Sequence, residues 1–114
     1  MGKINFPKQV TIGAFKIKLI LIDPDIASEV GEMQGCYLQK PPAKIVLDET
    51  IIKAGGADAV NLVLHELGHA AYYQYMLEGK DEETVVNSIA NFYTELFFRK
   101  GNKLKDWILN EIKR

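Results

Sequence analysis

One stretch decides the fold of this chain, DAVNLVLHELGHAAYYQYML at residues 58–77. Its apolar residues recur every three to four positions, which predicts a helix with one face in the core of the protein. The residues on that face are Val60, Val63, Leu64, Leu67, Ala70 and Ala71. The rest of the chain is expected to pack around this helix.

The helix carries an H-E-x-x-H motif, His65-Glu66-Leu67-Gly68-His69, which contains both histidines of the chain. Four residues are slightly more than one helical turn, so the two imidazoles stack on one face within reach of one ion. Paired imidazoles suit Zn²⁺. Glu66 lies a third of a turn away, where a carboxylate can take a proton from a water on the ion. The motif therefore predicts two metal ligands, His65 and His69, and a general base, Glu66.

The competing interpretation is a chance motif whose histidines only pack or face solvent. It is disfavoured because the apolar face of the helix would partly bury the imidazoles and leave them in need of partners.

Length and composition predict one ordinary domain, residues 1–114, with 47% hydrophobic and 25% charged residues. The net charge of −1 offers no basic patch for nucleic acid or for an anionic membrane surface. The start of the chain lacks the apolar core of a signal peptide, and the run Leu19–Ile22 is too short to span a bilayer. The single Cys36 excludes an internal disulfide, which predicts a cytoplasmic protein with a buried thiol.

The first half of the chain has the pattern of β-strands. Alternating apolar residues predict a hairpin with strands near 8–12 and 15–22. Residues 24–34, which begin at a proline, are expected to form a short helical turn or loop. Two further strands are predicted at Gly35–Gln39 and Ala43–Asp48, and the double proline between them favours a sheet edge.

The second half has the pattern of helices. A short turn is predicted at 49–54, followed by the motif helix with Asp58 as its N-cap and Gly79 as its C-terminal cap. A second long helix is expected from Asp81 to about Arg99, before a short amphipathic C-terminal helix. The apolar residues of that last helix are Leu104, Trp107, Ile108 and Ile112. Strands before helices predict an α+β fold, with helices on one face of a small, mostly antiparallel sheet.

A catalytic zinc usually takes three protein ligands and keeps one position for water. With only two histidines in the chain, a carboxylate must complete the set. The candidates are Glu82 and Glu83 in the first turn of the second helix, where the helix dipole keeps a carboxylate ionised. Glu95 lies three to four turns further along and is expected to be too far away.

The sequence resembles the zincin class of zinc metallopeptidases, especially ImmA/IrrE-type domains and their small phage-encoded relatives. In that pattern a Glu on the second helix precedes an Ala-Asn pair and then an apolar-Ala pair. This chain has Glu83, Val86-Asn87 and Ile89-Ala90 at those offsets, over a match that covers roughly residues 33–100. The resemblance implies a minimal zincin-like domain with Glu83 as the third ligand. It also implies that a sheet edge, Ile45–Asp48 or Gly35–Gln39, receives an extended peptide.

The predicted function is a zinc-dependent metallopeptidase that hydrolyses peptide bonds, with one dedicated protein partner as its substrate. Two alternatives remain. The first is a zinc-binding accessory protein of the zincin type, with little or no proteolytic activity. The second is a DNA-repair protease of the SprT type, which would have a different substrate. The retained Glu66 disfavours the first, and the nearly neutral charge disfavours the second. The donor that stabilises the oxyanion is left open among four tyrosines, Tyr37, Tyr72, Tyr73 and Tyr93. The oligomeric state is also left open.

Overall fold

The computed structural model describes residues 5–13, 15–23, 35–38 and 43–113. These residues contain four strands and four helices, and they form an α+β fold. The strands are β1 (Gln9–Ile12), β2 (Phe15–Ile22), β3 (Gly35–Leu38) and β4 (Lys44–Asp48). The helices are α1 (Glu49–Ala54), α2 (Gly56–Gln74), α3 (Glu82–Phe98) and α4 (Lys103–Lys113). The loop or helical turn predicted at 24–34 lies outside the described residues.

The four strands form one mixed sheet in the order β1-β2-β4-β3. The β1–β2 hairpin is antiparallel, as predicted, and β3 pairs antiparallel with β4. The central pairing of β2 with β4 is parallel, with Leu19 opposite Ile45 and Leu21 opposite Leu47. A parallel pairing needs a long crossover connection, which no local sequence pattern announces. The prediction of a mostly antiparallel sheet therefore holds for two of the three pairings and misses the central one.

The core lies between one face of the sheet and the helices. Alternate residues of the strands are buried there, because side chains of a strand point to opposite faces in turn. The buried strand residues are Val10, Ile12, Ile17, Leu19, Ile45 and Leu47. Helices α2, α3 and α4 cover them with Leu67, Phe92, Leu96, Trp107 and Ile108. The motif helix α2 contacts β3, β4 and each of the other three helices, so it occupies the centre of the packing.

The motif helix begins earlier than predicted. Gly55, with φ 72°, is its cap residue and offers no side chain to the first turn, so the assignment of Asp58 as N-cap is wrong. A residue from the far end of the chain takes over part of that role. The buried Glu111 of α4 accepts a hydrogen bond from the backbone N–H of Gly56 at 2.9 Å. A carboxylate at a helix N-terminus also complements the helix dipole.

The motif helix also ends earlier than predicted, so the assignment of Gly79 as its cap is wrong. The cap is Tyr75, and the next residue, Met76, has a left-handed φ of 54° and is 75% exposed. The N–H of Leu77 bonds to the carbonyl of Tyr72 at 3.0 Å, and the N–H of Met76 bonds to that of Tyr73 at 3.2 Å. This pair of bonds is the Schellman motif, in which the left-handed residue is usually glycine.

We expect Met76→Gly to stabilise the protein by about 1 kcal/mol, because glycine carries no Cβ penalty in the left-handed region. Met76→Ala keeps a Cβ at the same φ and should bring no such gain. Urea unfolding of the three proteins measures the difference. A gain in the alanine variant equal to that in the glycine variant would show that the methionine side chain, and not the backbone, is the cause.

The second helix has the cap that the sequence predicts. Asp81 accepts a hydrogen bond from the backbone N–H of Thr84 at 2.7 Å, and this bond is the main reason that the pKa of Asp81 lies below its ordinary value. The last helix is capped by the buried Asn102, whose side-chain oxygen accepts from the N–H of Leu104 at 3.1 Å. In the part of the chain that the structure describes, no helix is both long and apolar enough to cross a membrane.

Candidate metal centre and active site

The two histidines of the motif meet at their ring nitrogens. His65 Nε2 and His69 Nε2 lie 3.2 Å apart, with the ring planes at 82° to each other. Both residues are exposed, so the expectation that the apolar face of the helix would partly bury the imidazoles is wrong. Their meeting is a local consequence of helical geometry, since residues four apart are neighbours on one face. The two nitrogens thus converge on one point above the helix surface.

This separation fits a shared metal ion. Two nitrogens bound at about 2.0–2.1 Å to one tetrahedral Zn²⁺ lie about 3.3–3.4 Å apart. The observed 3.2 Å is close to that value. A neutral imidazole donating to its neighbour would give a similar distance, so the geometry is compatible with a metal and does not require one. His65 and His69 therefore fit two of the three protein ligands of a catalytic zinc.

Glu66 lies on the inner side of the motif helix and is only 5% exposed. Burial raises the pKa of this carboxyl above its ordinary value of 4.5, because a buried carboxylate loses its hydration. The charges of His65 and His69 act in the opposite direction and lower the pKa, by less than burial raises it. A carboxylate whose pKa is raised towards neutrality is better matched to accepting and then returning a proton.

Strand β3 covers this carboxylate through a glycine. A Cβ built on Gly35 would lie 3.0 Å from both Cγ and Oε2 of Glu66, and 3.1 Å from Leu62 Cδ1. The backbone of β3 therefore lies directly on the Glu66 side chain and contributes to its burial. From the sequence, Gly35 is predicted only to begin a strand. A glycine inside a strand often marks a place where another group approaches the backbone closely, so Gly35 itself was the sequence signal for this contact.

We expect Gly35→Ala to cost about 1 kcal/mol of stability, the lower end of the range for overpacking, because Glu66 and Leu62 must yield by a few tenths of an ångström. The cost should fall in a Glu66→Ala background, where the space beside Cβ is open. A double-mutant cycle on metal-free protein, followed by urea unfolding, measures this coupling. Equal costs in the two backgrounds would show that Gly35 and Glu66 do not constrain each other.

The two candidate third ligands lie in the first turn of α3, and both are exposed. Residues that share a face with Glu83, at Asn87, Ala90 and Thr94, are exposed as well. The face of Glu82 carries the exposed Val86 and then Ile89 and Tyr93, which are half-buried against the core. Within the described residues, no three His, Cys, Asp or Glu side chains form a group that could hold a metal ion.

Glu95 lies elsewhere, as expected. Its Oε1 accepts a hydrogen bond from the backbone N–H of Gly13 at 3.1 Å and is paired with Arg99 at 2.7 Å. The bond from Gly13, followed by the one from Arg99, lowers the pKa of this carboxyl. Glu95 therefore holds α3 against the β1–β2 hairpin.

The candidate oxyanion donors differ in what their hydroxyls contact. Tyr93 donates to the carbonyl of Leu64 at 2.6 Å, and burial raises its pKa, so its proton is engaged between α3 and α2. Tyr37 accepts from Gln74 Nε2 at 3.0 Å. Its pKa is also raised by burial, and that hydrogen bond lowers it by a smaller amount.

Cys36 is half-buried, whereas the sequence predicts a buried thiol, and its Sγ lies 3.8 Å from the carbonyl oxygen of Tyr37.

The sheet order decides which strand can offer an edge beside the motif helix. Strand β4 pairs with both β2 and β3, so Ile45–Asp48 is internal, and the expectation that it could receive a peptide is wrong. Within the described residues, β3 pairs on one side only and also contacts the motif helix. A cavity of about 610 Å³ also reaches His65, and its walls include Thr50, Ile51, Asp58, Asn61 and Leu62.

The described residues thus define an α+β domain in which a central helix presents two histidines beside a buried glutamate and a sheet edge. Comparison with protein-family models, with curated proteins and with solved structures gives no match. The resemblance to zincins accordingly rests on the motif residues and on the offsets along the second helix.

Proposed function

We propose that this protein is a zinc-dependent metallopeptidase that hydrolyses peptide bonds in a protein substrate. One observation carries the proposal, the convergence of His65 and His69 at 3.2 Å beside the buried Glu66. A purely structural metal site needs ligands and has no use for a buried carboxylate of raised pKa next to them. The proposed third ligand is one of two glutamates in the first turn of α3. The resemblance favours Glu83, and the alternative is Glu82.

Zinc, when bound, would supply the Lewis acidity that polarises the scissile carbonyl and makes a water more acidic. Glu66 takes a proton from that water as the oxygen attacks the carbonyl carbon. It then gives the proton to the nitrogen as the C–N bond breaks. The burial of Glu66 under Gly35 supports this role, because a raised pKa makes the carboxylate a stronger base.

Strand β3 is the proposed docking edge for the substrate. Its unpaired backbone groups, within the described part of the chain, could accept an extended peptide as one more strand. Such a peptide would run beside Glu66, because Gly35 of β3 touches that carboxyl. Both histidines are exposed, so the site is open, and we expect the partner to be one protein with an extended segment.

The experiment that tests the proposal measures zinc in the purified protein by plasma emission and cleavage of an unfolded protein such as casein. We expect zinc to be present in equimolar amount, and cleavage to be lost with a chelator and restored by added zinc. If the protein carries no zinc and takes none up, the proposal is wrong.

A second candidate, a zincin-type zinc-binding accessory protein with little or no activity, is favoured by one observation. No third ligand joins the histidine pair among the described residues. This candidate would be supported if the protein binds equimolar zinc but cleaves no unfolded protein, and if Glu66→Gln changes neither result.

A further inference from the structure

Three tyrosines form a connected group at the C-terminal end of the motif helix, here called the tyrosine cluster: Tyr37, Tyr72 and Tyr73. The rings of Tyr37 and Tyr73 are stacked, with centroids 5.9 Å apart and planes at 18°. The ring of Tyr72 stands perpendicular to that of Tyr73, at 5.8 Å and 90°. Tyr73 is nevertheless 49% exposed, so this aromatic surface is open to a further group.

The tyrosine cluster is continuous with the candidate active site. Tyr73 follows His69 by four residues, so the two side chains are neighbours on one helix face. Tyr37 lies on the proposed docking strand β3, two residues after Gly35, and therefore on the same face of that strand. One helical turn is about 5.4 Å and one strand residue about 3.4 Å, which puts the cluster one to two substrate residues from the reacting bond.

A cavity opens beside the cluster. It has a volume of about 560 Å³, and its walls include Tyr72, Tyr73, Tyr75, Met76 and Lys80. This size lies within the usual range of about 300–1,000 Å³ for ligand sites. Its walls combine aromatic and apolar side chains with one acidic and one basic residue, Glu78 and Lys80, whose charges oppose each other.

Met76 gives a second, independent observation. This residue follows the cap of the helix with φ 54° and is 75% exposed, where a glycine would avoid the backbone cost. Strained residues of this kind concentrate at functional sites, and an exposed methionine offers an adaptable apolar surface. Met76 therefore adds an exposed apolar side chain to the wall of the cavity.

We propose that the tyrosine cluster and its cavity form a specificity subsite, which selects an aromatic or large aliphatic side chain near the scissile bond. The position of the subsite relative to a scissile bond rests on the proposed function, whereas the binding test below does not. The substrate class is thus an extended peptide with an apolar residue one to two positions from the cleaved bond. Tyr73 supplies the ring face, Tyr37 fixes its orientation by stacking, and Gln74 fixes Tyr37 by a hydrogen bond of 3.0 Å.

The test uses metal-free protein, so that it does not depend on activity. Binding of two acetylated and amidated tetrapeptides, Gly-Gly-Phe-Gly and Gly-Gly-Ala-Gly, is followed by amide shifts of the ¹⁵N-labelled protein. We expect the Phe peptide to bind at least about fivefold more tightly, with shifts at Tyr72–Leu77, as an aromatic contact would give. Equal binding of the two peptides, or shifts elsewhere, would overturn the inference.

Three variants assign the effect. Tyr73→Ala should remove the preference for the Phe peptide, and Tyr73→Phe should retain it, because the ring and not the hydroxyl makes the contact. Phe98→Ala is the matched control, since Phe98 is an exposed aromatic (83%) on a different helix. Loss of preference in Phe98→Ala, or its retention in Tyr73→Ala, would contradict the assignment.

The two proposals can fail separately. If the protein lacks zinc but prefers the Phe peptide at Tyr72–Leu77, the subsite stands and the peptidase function does not. If zinc-dependent cleavage is found, mass spectrometry of the cleaved products should show apolar residues within two positions of the cut. Cleavage without that preference would leave the peptidase and remove the subsite.

Discussion

Replacing His69 with alanine is expected to lower the zinc affinity of the protein by more than about 100-fold, since loss of an outer partner of a ligand alone costs about 10–100-fold. His65→Ala should have the same effect, because the two Nε2 atoms converge at 3.2 Å on one point. Zinc content by plasma emission and competition with a chelator measure the loss. The matched control is Asn91→Ala, an exposed residue of α3 outside the cavity that reaches His65.

The same measurement on Glu82→Ala and Glu83→Ala assigns the third ligand. The resemblance names Glu83, whereas the helix face of Glu82 is the one that leads to the half-buried Ile89 and Tyr93. One of the two variants should lose zinc as His69→Ala does, and the other should retain it. If both retain zinc, neither glutamate is a ligand, and the accessory-protein candidate gains support.

Glu66→Gln is expected to lower kcat by about 10²–10⁴-fold, the usual contribution of a general acid–base group, while zinc content stays at the wild-type level. The amide has nearly the shape of the carboxylate and fills the same space under Gly35, but it cannot accept the proton. Cleavage of the unfolded protein and zinc content are measured on the same samples. Loss of zinc together with activity would mean that Glu66 acts as a ligand and not as a base.

Without metal, Glu66→Gln and the wild type should differ in how their free energies of unfolding depend on pH. Burial raises the pKa of Glu66, so the folded state binds the proton more tightly than the unfolded state does. The stabilising contribution of the protonated form is present below the unfolded pKa and is lost as pH rises through the folded value. We therefore expect metal-free Glu66→Gln to match the wild type at low pH and to become relatively more stable as pH rises. Urea unfolding across pH measures this, and a constant difference would contradict the burial of an ionisable carboxyl.

The sequence by itself determined the features that depend on neighbours along the chain. The approach of His65 to His69 follows from a spacing of four residues on a helix. The hairpin of β1 and β2 follows from alternation around Gly13, and the cap of α3 follows from Asp81 three residues before Thr84. The α+β class follows from the order of these elements. Each of these rests on contacts within a few residues, and periodicity and capping preferences describe such contacts directly.

Only the tertiary structure decided the features that join distant parts of the chain. The parallel pairing of β2 with β4 makes β4 internal and leaves β3 as the edge beside the motif helix. Glu111 supplies the N-terminal hydrogen bond of α2 across 55 positions, so Asp58 is not needed as a cap. Gly35 buries Glu66 from a separate strand, and that burial is what raises the pKa of the carboxyl. The physical reason is common to all three, because burial and long-range pairing depend on which surfaces meet in the folded protein, and a local pattern carries no record of that meeting.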